Sequence, residues 1–294
     1  MFLLAASRTC CAFLLALAAT TQSIVPPAQS GGEQLAIPLE RPRLAEAQRL
    51  FYNARYQAAA ALTLDTRTAG TADLASYELR SSAILFQIKA LLEGPNGRDE
   101  SRKEVDKKEA LKACGPCPAL IAAFSEDVRL GQALARQMLR TNPADETALF
   151  FLGKLDLNYV WLQLGPLGRR TGWDEYWEAR HSLDAVLKSN PRNVRAVVAR
   201  AWIDYIVDTK MPWGTRWLLG GGNKKKALAA VREAVQLESD FFSRAEADFA
   251  LWNMLVREKQ TKEATEIARR LARGFPSNLE VAAYLQARDA SVRR

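Results

Sequence analysis

The sequence has a single histidine, His181, among 294 residues. One histidine cannot build a His-rich zinc site or supply the several bases that multistep acid–base catalysis needs. No Gly-x-Ser-x-Gly nucleophile elbow is present either, so hydrolase mechanisms of the Ser-His-Asp or Cys-His type have no recognisable nucleophile. We therefore expect no metal, no cofactor and no catalytic residue, and we interpret His181 as a structural residue.

Patterns for binding nucleotides and nucleic acids are also missing. The run from Gly220 to Lys226 lacks the Gly-x-x-x-x-Gly-Lys-Ser/Thr order of a phosphate-binding loop, and no strand precedes it. We expect a turn there, with Asn223 capping the helix that follows. No arginine-rich run is interleaved with aromatic residues, which argues against nucleic acid as a partner.

Only four cysteines occur, and two of them form a Cys-Gly-Pro-Cys motif at Cys114 and Cys117. The motif matches that of thioredoxin-like redox proteins, but no β-rich sequence surrounds it and Ala113 replaces the usual tryptophan. A short structural disulfide is the first interpretation. A catalytic thiol–disulfide pair is the alternative.

Long apolar runs are absent except near the start of the chain, where Arg8 is followed by the apolar stretch 11–19. This stretch is about half the length of a membrane span, so it predicts a cleaved export signal over residues 1–23, with cleavage between 18 and 30. We expect a periplasmic or secreted protein. Its formal net charge of +8 favours acidic partners, either proteins or lipid head groups.

A helical repeat is what the sequence does contain. Counting back from Pro191, apolar or small residues lie five, eight and twelve positions earlier, at Val186, Leu183 and Ala179. Three further sets have the same spacing: Met138, Ala135 and Gly131 before Pro143; Ala234, Val231 and Ala227 before Ser239; and Leu271, Ala268 and Ala264 before Pro276. A helix with small residues at such steps packs closely on a neighbour, and a residue such as proline ends it.

This pattern resembles the tetratricopeptide (TPR) repeat, on the match of Leu149, Leu152-Gly153, Ala179 and Pro191 to its consensus positions. The resemblance implies an all-α superhelix, a solenoid of stacked helical hairpins that binds a protein or peptide. The predicted organisation is a signal over 1–23, a linker over 24–42, degenerate repeats over 43–93, a polar insertion with the Cys pair over 94–118, TPR-like repeats over 119–278 and a capping helix over 279–294.

Two adjacent hairpins carry inserts of equal length, 14 residues beyond the spacing of the last hairpin. Side chains suited to anchoring a partner cluster around these inserts: Trp161, Arg169, Arg170, Trp173, Trp177, Lys210, Trp213, Arg216 and Trp217. The family resemblance adds groove positions on the first helices, at Phe150, Lys154, Trp202 and Tyr205. These residues predict an aromatic and basic pocket for a peptide with an acidic group, or alternatively inward-facing tryptophans that only fill the gap between hairpins.

Two other functions remain open at this stage. One is a thiol–disulfide protein that uses the repeats to present substrates, and the other is an envelope component whose basic surface lies on anionic lipid without spanning the membrane. A catalytic carboxylate pair at Asp156 and Asp204 is disfavoured, because each has a cation close by on its own helix, Lys154 and Arg200 respectively. We expect an ion pair or helix capping at each of these residues.

Overall fold

The computed structural model describes residues 40–68, 73–93 and 107–292. The predicted export signal and most of the predicted linker lie outside the described residues. The described elements are α1 (Glu40–Tyr52), α2 (Tyr56–Thr68), α3 (Leu74–Glu93), α4 (Lys107–Ala113), α5 (Cys117–Thr141), α6 (Glu146–Leu164), α7 (Trp173–Ser189), α8 (Val194–Lys210), a 3-10 helix (Trp213–Leu219), α9 (Lys224–Gln236), α10 (Phe241–Arg257), α11 (Thr261–Gly274) and α12 (Leu279–Val292). No strand occurs among them, and none of these helices is long and apolar enough to cross a bilayer.

Apart from the short helix α4, the helices pair in chain order into hairpins, as the repeat predicts. The pairs are α1 with α2, α3 with α5, α6 with α7, α8 with α9 and α10 with α11, and α12 packs on α11 at the end. Contacts of α3 with α6 and of α8 with α10 join successive hairpins through their first helices. The described chain is thus an all-α, TPR-like superhelix with an inner layer of first helices and an outer layer of second helices.

The small-residue faces of the second helices are buried, which confirms the repeat pattern. Ala135, Ala179 and Ala264 have no exposed surface, and Ala227 is 3% exposed. Gly131 approaches its neighbours so closely that an added Cβ would lie 2.7 Å from Leu155 Cδ1. The small side chains therefore let each outer helix lie close against the inner layer.

A second repeated feature lies two residues after each interhelical proline. Asp145, Asn193 and Asn278 each accept a hydrogen bond from the backbone N–H three residues later, at 2.9 to 3.0 Å. This side-chain cap satisfies a backbone donor that the first turn of a helix leaves without an intrahelical partner. Asn223 caps α9 in the same way through the N–H of Lys226, as predicted.

The two ends of the superhelix meet. The ring of Tyr52, at the end of α1, lies 5.4 Å from that of Phe249 and 5.3 Å from that of Phe275, measured between centroids. Asn278 Nδ2 donates to the Tyr52 carbonyl oxygen at 2.8 Å, and the Ser277 N–H donates to Asn53 Oδ1 at 3.1 Å. The first hairpin therefore packs against the last one, and the inner helices surround a common interior.

Candidate functional site

The inner helices enclose a cavity of about 1440 Å³. α1, α3, α6, α8 and α10 form its walls, and the loop after α6, the start of α7 and the 3-10 helix contribute to its lining at one end. Ligand sites for small molecules usually measure roughly 300 to 1,000 Å³. This interior is large enough for a longer ligand such as a peptide.

The lining combines positive charge with aromatic surface. Among the described residues, seven cations line it, namely Lys89, Lys154, Arg169, Arg170, Arg195, Lys210 and Arg257, against two carboxylates, Glu78 and Glu246. Eight aromatic side chains accompany them: Phe51, Tyr52, Phe86, Trp161, Trp173, Trp177, Trp202 and Phe249. Cations and ring faces together are suited to a ligand that carries both carboxylates and apolar groups.

Four of the charged side chains form a closed cluster that joins four inner helices. Lys154 Nζ lies 2.6 Å from Glu246 Oε1 and 3.5 Å from Glu78 Oε1. Arg195 Nε lies 2.6 Å from Glu246 Oε2, and its Nη2 lies 3.2 Å from Glu78 Oε2. Each cation thus contacts both carboxylates, and the cluster is neutral as a whole, so the positive charge in excess is carried by the other cations of the lining.

The cluster keeps its charges in spite of burial. Burial by itself would raise the pKa of Glu246, but Arg195 and Lys154 outweigh it and hold this pKa at about 2. Burial would lower the pKa of Lys154, yet Glu246 and Glu78 raise it above its ordinary value. Burial also raises the pKa of Tyr52, and Glu246 raises it further, so this phenol stays neutral beside the cluster.

Arg195 also borders a second, smaller cavity of about 360 Å³ at the start of α6, α8 and α10. Its guanidinium carbon lies 4.9 Å from the centre of the Phe150 ring, which lines the same small cavity. Glu146, also in that lining, accepts hydrogen bonds from Asn190 and Asn193, each at 2.9 Å. Within the smaller cavity, the Glu146 carboxylate is therefore already engaged by the protein, whereas the buried Ser239 hydroxyl has no hydrogen-bond partner among the described residues.

Eight of the thirteen residues that the sequence predicts for partner binding line the large cavity: Lys154, Trp161, Arg169, Arg170, Trp173, Trp177, Trp202 and Lys210. Arg169 and Arg170 are exposed in the loop that follows α6, and Trp173 is 45% exposed at the start of α7. The first insert therefore contributes side chains to the edge of the cavity.

The other five predicted residues are not part of this lining. The predicted groove position of Tyr205 is wrong, because this residue belongs to the core. Its side chain is 2% exposed, packs with residues of α9 and donates from its hydroxyl to Glu258 Oε1 at 2.9 Å. Phe150 is also buried and borders the smaller cavity instead. In the second insert, Arg216 pairs with Asp208, while Trp213 and Trp217 project into solvent.

The expected ion pair of Asp156 with Lys154 is wrong, because Lys154 faces the cavity and Asp156 faces α5. Asp156 is fully buried and accepts a hydrogen bond from Gln132 Nε2 at 2.6 Å. Burial, reinforced by the nearby Glu178, raises the pKa of Asp156 to about 8. The pair of Asp204 with Arg200 is present at 2.6 Å.

Cys114 and Cys117 are joined in a disulfide, with their Cα atoms 5.4 Å apart. Cys117 is the first residue of α5 and has no exposed surface, packing in an apolar cluster with residues of α2 and α3 such as Ala59 and Ile84. The disulfide is separate from the cavity lining. His181 is exposed and stacks on Trp177, and the described residues hold no cluster of three or more His, Cys, Asp or Glu that could bind a metal.

The sequence patterns did not identify Glu78, Glu246 and Arg257, and they gave no role to Asn158 or Asn253. A usable signal was present for the first two. Each is an acidic residue within a stretch of small and apolar residues, which calls for a partner when the helix is buried. Their partners lie up to 117 residues away in sequence, so the pairing itself carried no local signal.

No protein-family model matches the chain, and the search of curated proteins also gives no match. Among solved structures, the chain is similar to the crystal structure of a thermophilic TPR protein from Thermus thermophilus, with 14% sequence identity and a TM-score of 0.43, over 84% of this chain and 97% of that chain.

Proposed function

We propose that this protein is a non-enzymatic binding protein whose cavity holds an acidic, partly apolar segment of a partner protein. Superhelices of stacked helical hairpins serve mainly as binding scaffolds. The finer assignment rests on one observation: in the part of the chain that the structure describes, cations outnumber carboxylates in the cavity lining, beside eight aromatic side chains.

Charge explains which partner the cavity favours. The carboxylates of the lining, Glu78 and Glu246, are matched by Lys154 and Arg195. Among the described residues, an incoming carboxylate thus meets further cations of the lining with no competing acid, namely Arg169, Arg170, Lys210 and Arg257. Guanidinium groups bind carboxylates through two parallel hydrogen bonds, which gives orientation as well as attraction. The charge also accelerates the approach of an acidic ligand at low ionic strength.

The aromatic side chains explain why the segment should also be apolar. Trp161, Trp177 and Trp202 are each partly buried, so they can lose further water when a ligand enters. Large aromatic side chains next to arginine dominate the binding energy of many interfaces. A peptide that alternates acidic and aromatic residues would use both parts of the lining.

A fluorescence titration tests the proposal, using a hexapeptide of alternating glutamate and phenylalanine and a matched peptide with glutamine in place of glutamate. We expect the acidic peptide to bind at least about tenfold more tightly, and its advantage to shrink with salt. A triple variant, R169A/R170A/K210A, should lose that advantage. The control is R140A/K188A/K262A, which removes the same charge from exposed positions on α5, α7 and α11. Equal binding of the two peptides, or equal loss in both variants, would refute the proposal.

A further inference from the structure

The second insert presents the most exposed tryptophans among the described residues. Trp213 is 85% exposed and Trp217 is 72% exposed, and the adjacent Leu218 is 54% exposed. All three lie on the 3-10 helix between α8 and α9. Such a group of large apolar side chains in water is unusual for a protein surface and marks an interaction site.

This helix is fixed to the body of the protein on its other side. The Tyr176 hydroxyl donates to the Leu219 carbonyl oxygen at 2.7 Å, and Arg180 Nη2 donates to the Gly220 carbonyl oxygen at 3.1 Å. Arg216 pairs with Asp208 and also donates to the Met211 carbonyl oxygen at 3.1 Å. The tryptophans therefore project from an anchored support.

A run of three lysines begins beside the 3-10 helix that carries the exposed tryptophans. Asp208 pairs with Arg216 and also accepts a hydrogen bond from the backbone N–H of Lys224 at 2.9 Å. The run Lys224–Lys226 therefore begins next to the 3-10 helix. Lys224 pairs with Glu258, while Lys225 and Lys226 are exposed. Three lysines in the first turn oppose the helix dipole, a small cost that an anionic surface would offset.

We propose that Trp213, Trp217 and Leu218 insert into the interface of an anionic lipid bilayer, with Lys225 and Lys226 beside the lipid head groups. A protein partner would need a pocket shaped for each projecting indole, whereas a bilayer interface accepts convex aromatic side chains without shape complementarity. Apolar residues flanked by lysine are the usual means by which soluble proteins lie on anionic membranes.

The proposal does not depend on the ligand of the cavity, although it places the bilayer next to the cavity edge. Leu218, Pro212 and Thr215 line the cavity, and Lys210 and Trp173 lie in the same lining. A docked protein would thus hold the cavity edge near the membrane surface. A partner segment would then be captured close to the bilayer.

The test uses the full chain with vesicles of phosphatidylcholine alone or mixed with phosphatidylglycerol. We expect co-sedimentation with the anionic vesicles and a loss of about tenfold or more in partitioning for W213S/W217S. K225E/K226E should lose binding at low salt by roughly tenfold, with a smaller effect at high salt. The matched control is L279S, because Leu279 is 78% exposed on α12, which packs on α11, whereas the 3-10 helix packs on α8.

A second readout separates this surface from the apolar stretch 11–19, which all variants share. Lipids brominated in their acyl chains should quench the tryptophan fluorescence of the wild type and of L279S, and quench that of W213S/W217S much less. Equal quenching in all three proteins, or equal binding to neutral and anionic vesicles, would overturn the proposal. A third outcome would also overturn it: W213S/W217S still binds vesicles, and sedimentation velocity shows a dimer for the wild type but a monomer for this variant. The tryptophans would then form a contact between two copies of the chain.

Discussion

Lys154 on α6 and Glu246 on α10 are 92 residues apart in sequence, and their side chains are 2.6 Å apart in the wall of the cavity. Together with Glu78 and Arg195 they join four inner helices of the superhelix. The same four side chains line the cavity that we propose as a binding site, so the cluster connects the stability of the superhelix to the proposed function.

Removing one carboxylate from this cluster should therefore lower the free energy of unfolding strongly. Glu246→Gln leaves Lys154 and Arg195 with half of their compensating charge in a buried setting, and we expect a loss of about 3 to 5 kcal/mol in the free energy of unfolding. Urea denaturation measures this loss. Glu126→Gln, which breaks an exposed pair with Arg129, is the control and should leave the unfolding free energy nearly unchanged.

The low pKa of Glu246 also sets a pH range for its contribution. Because this pKa is about 2 in the folded chain and near 4.5 in the unfolded one, its contribution is complete above about pH 4.5 and is lost as the pH falls toward 2. The difference in unfolding free energy between the wild type and Glu246→Gln should thus become smaller as the pH is lowered. A gap that stays constant from pH 6 to pH 2.5 would contradict the ionised, paired state of Glu246.

Asp156 should give the opposite pH dependence. Its folded pKa of about 8 exceeds its unfolded value, so the folded state holds an extra proton, and stability falls as the pH rises from about 4 through 8. Asp156→Asn should remove this decline and make the protein more stable than the wild type at pH 9. Melting temperatures of both proteins across this range provide the measurement. A wild type and a variant with parallel pH profiles would show that Asp156 titrates normally.

Close packing between the helix layers makes a specific prediction at Gly131. An alanine there gains helix propensity, but its Cβ would lie 2.7 Å from Leu155 Cδ1 and 2.9 Å from Tyr77 Cβ. We expect Gly131→Ala to destabilise the protein by roughly 1 to 3 kcal/mol. Gly214→Ala is the control, because an added Cβ has open space there, and its unfolding midpoint should stay near that of the wild type.

The contact between the first and the last hairpin can be tested at Asn278, which makes two kinds of hydrogen bond. Its Oδ1 caps α12, and its Nδ2 donates to the Tyr52 carbonyl oxygen on α1. Asn278→Ala should cost about 2 kcal/mol, against about 1 kcal/mol for Asn223→Ala, which removes a cap only. Hydrogen exchange in α1 should become faster in the first variant alone. Equal exchange in both variants would show that the contact does not hold the ends together.

The sequence predicted the hairpins well because their signals are local. The spacing of Ala179, Leu183 and Val186 before Pro191 reflects one helix face and one helix stop, and the structure buries all three side chains. The predicted cap at Asn223 is equally local and is confirmed. Such features depend on neighbours within about one or two helical turns.

The residues that line the cavity of the superhelix could not be predicted in the same way. Tyr52 contacts Phe275 because the described hairpins curve far enough for the last one to pack against the first. This total curvature is the sum of many small packing angles, and no residue spacing in the sequence encodes it. Tyr205 was assigned to the groove although its face of α8 is covered by α9. Helix periodicity shows that a residue is apolar on one side, but not which neighbour covers that side.

The position of a bound ligand tests the central claim most directly. An alternating glutamate–phenylalanine peptide with one phenylalanine replaced by benzoylphenylalanine can be cross-linked by light and its attachment sites located by mass spectrometry. We predict cross-links to cavity residues such as Trp202, Asn253 and Met211, with loss of these products in R169A/R170A/K210A. Cross-links confined to the outer helices α9 and α11, unchanged in that variant, would contradict binding inside the cavity.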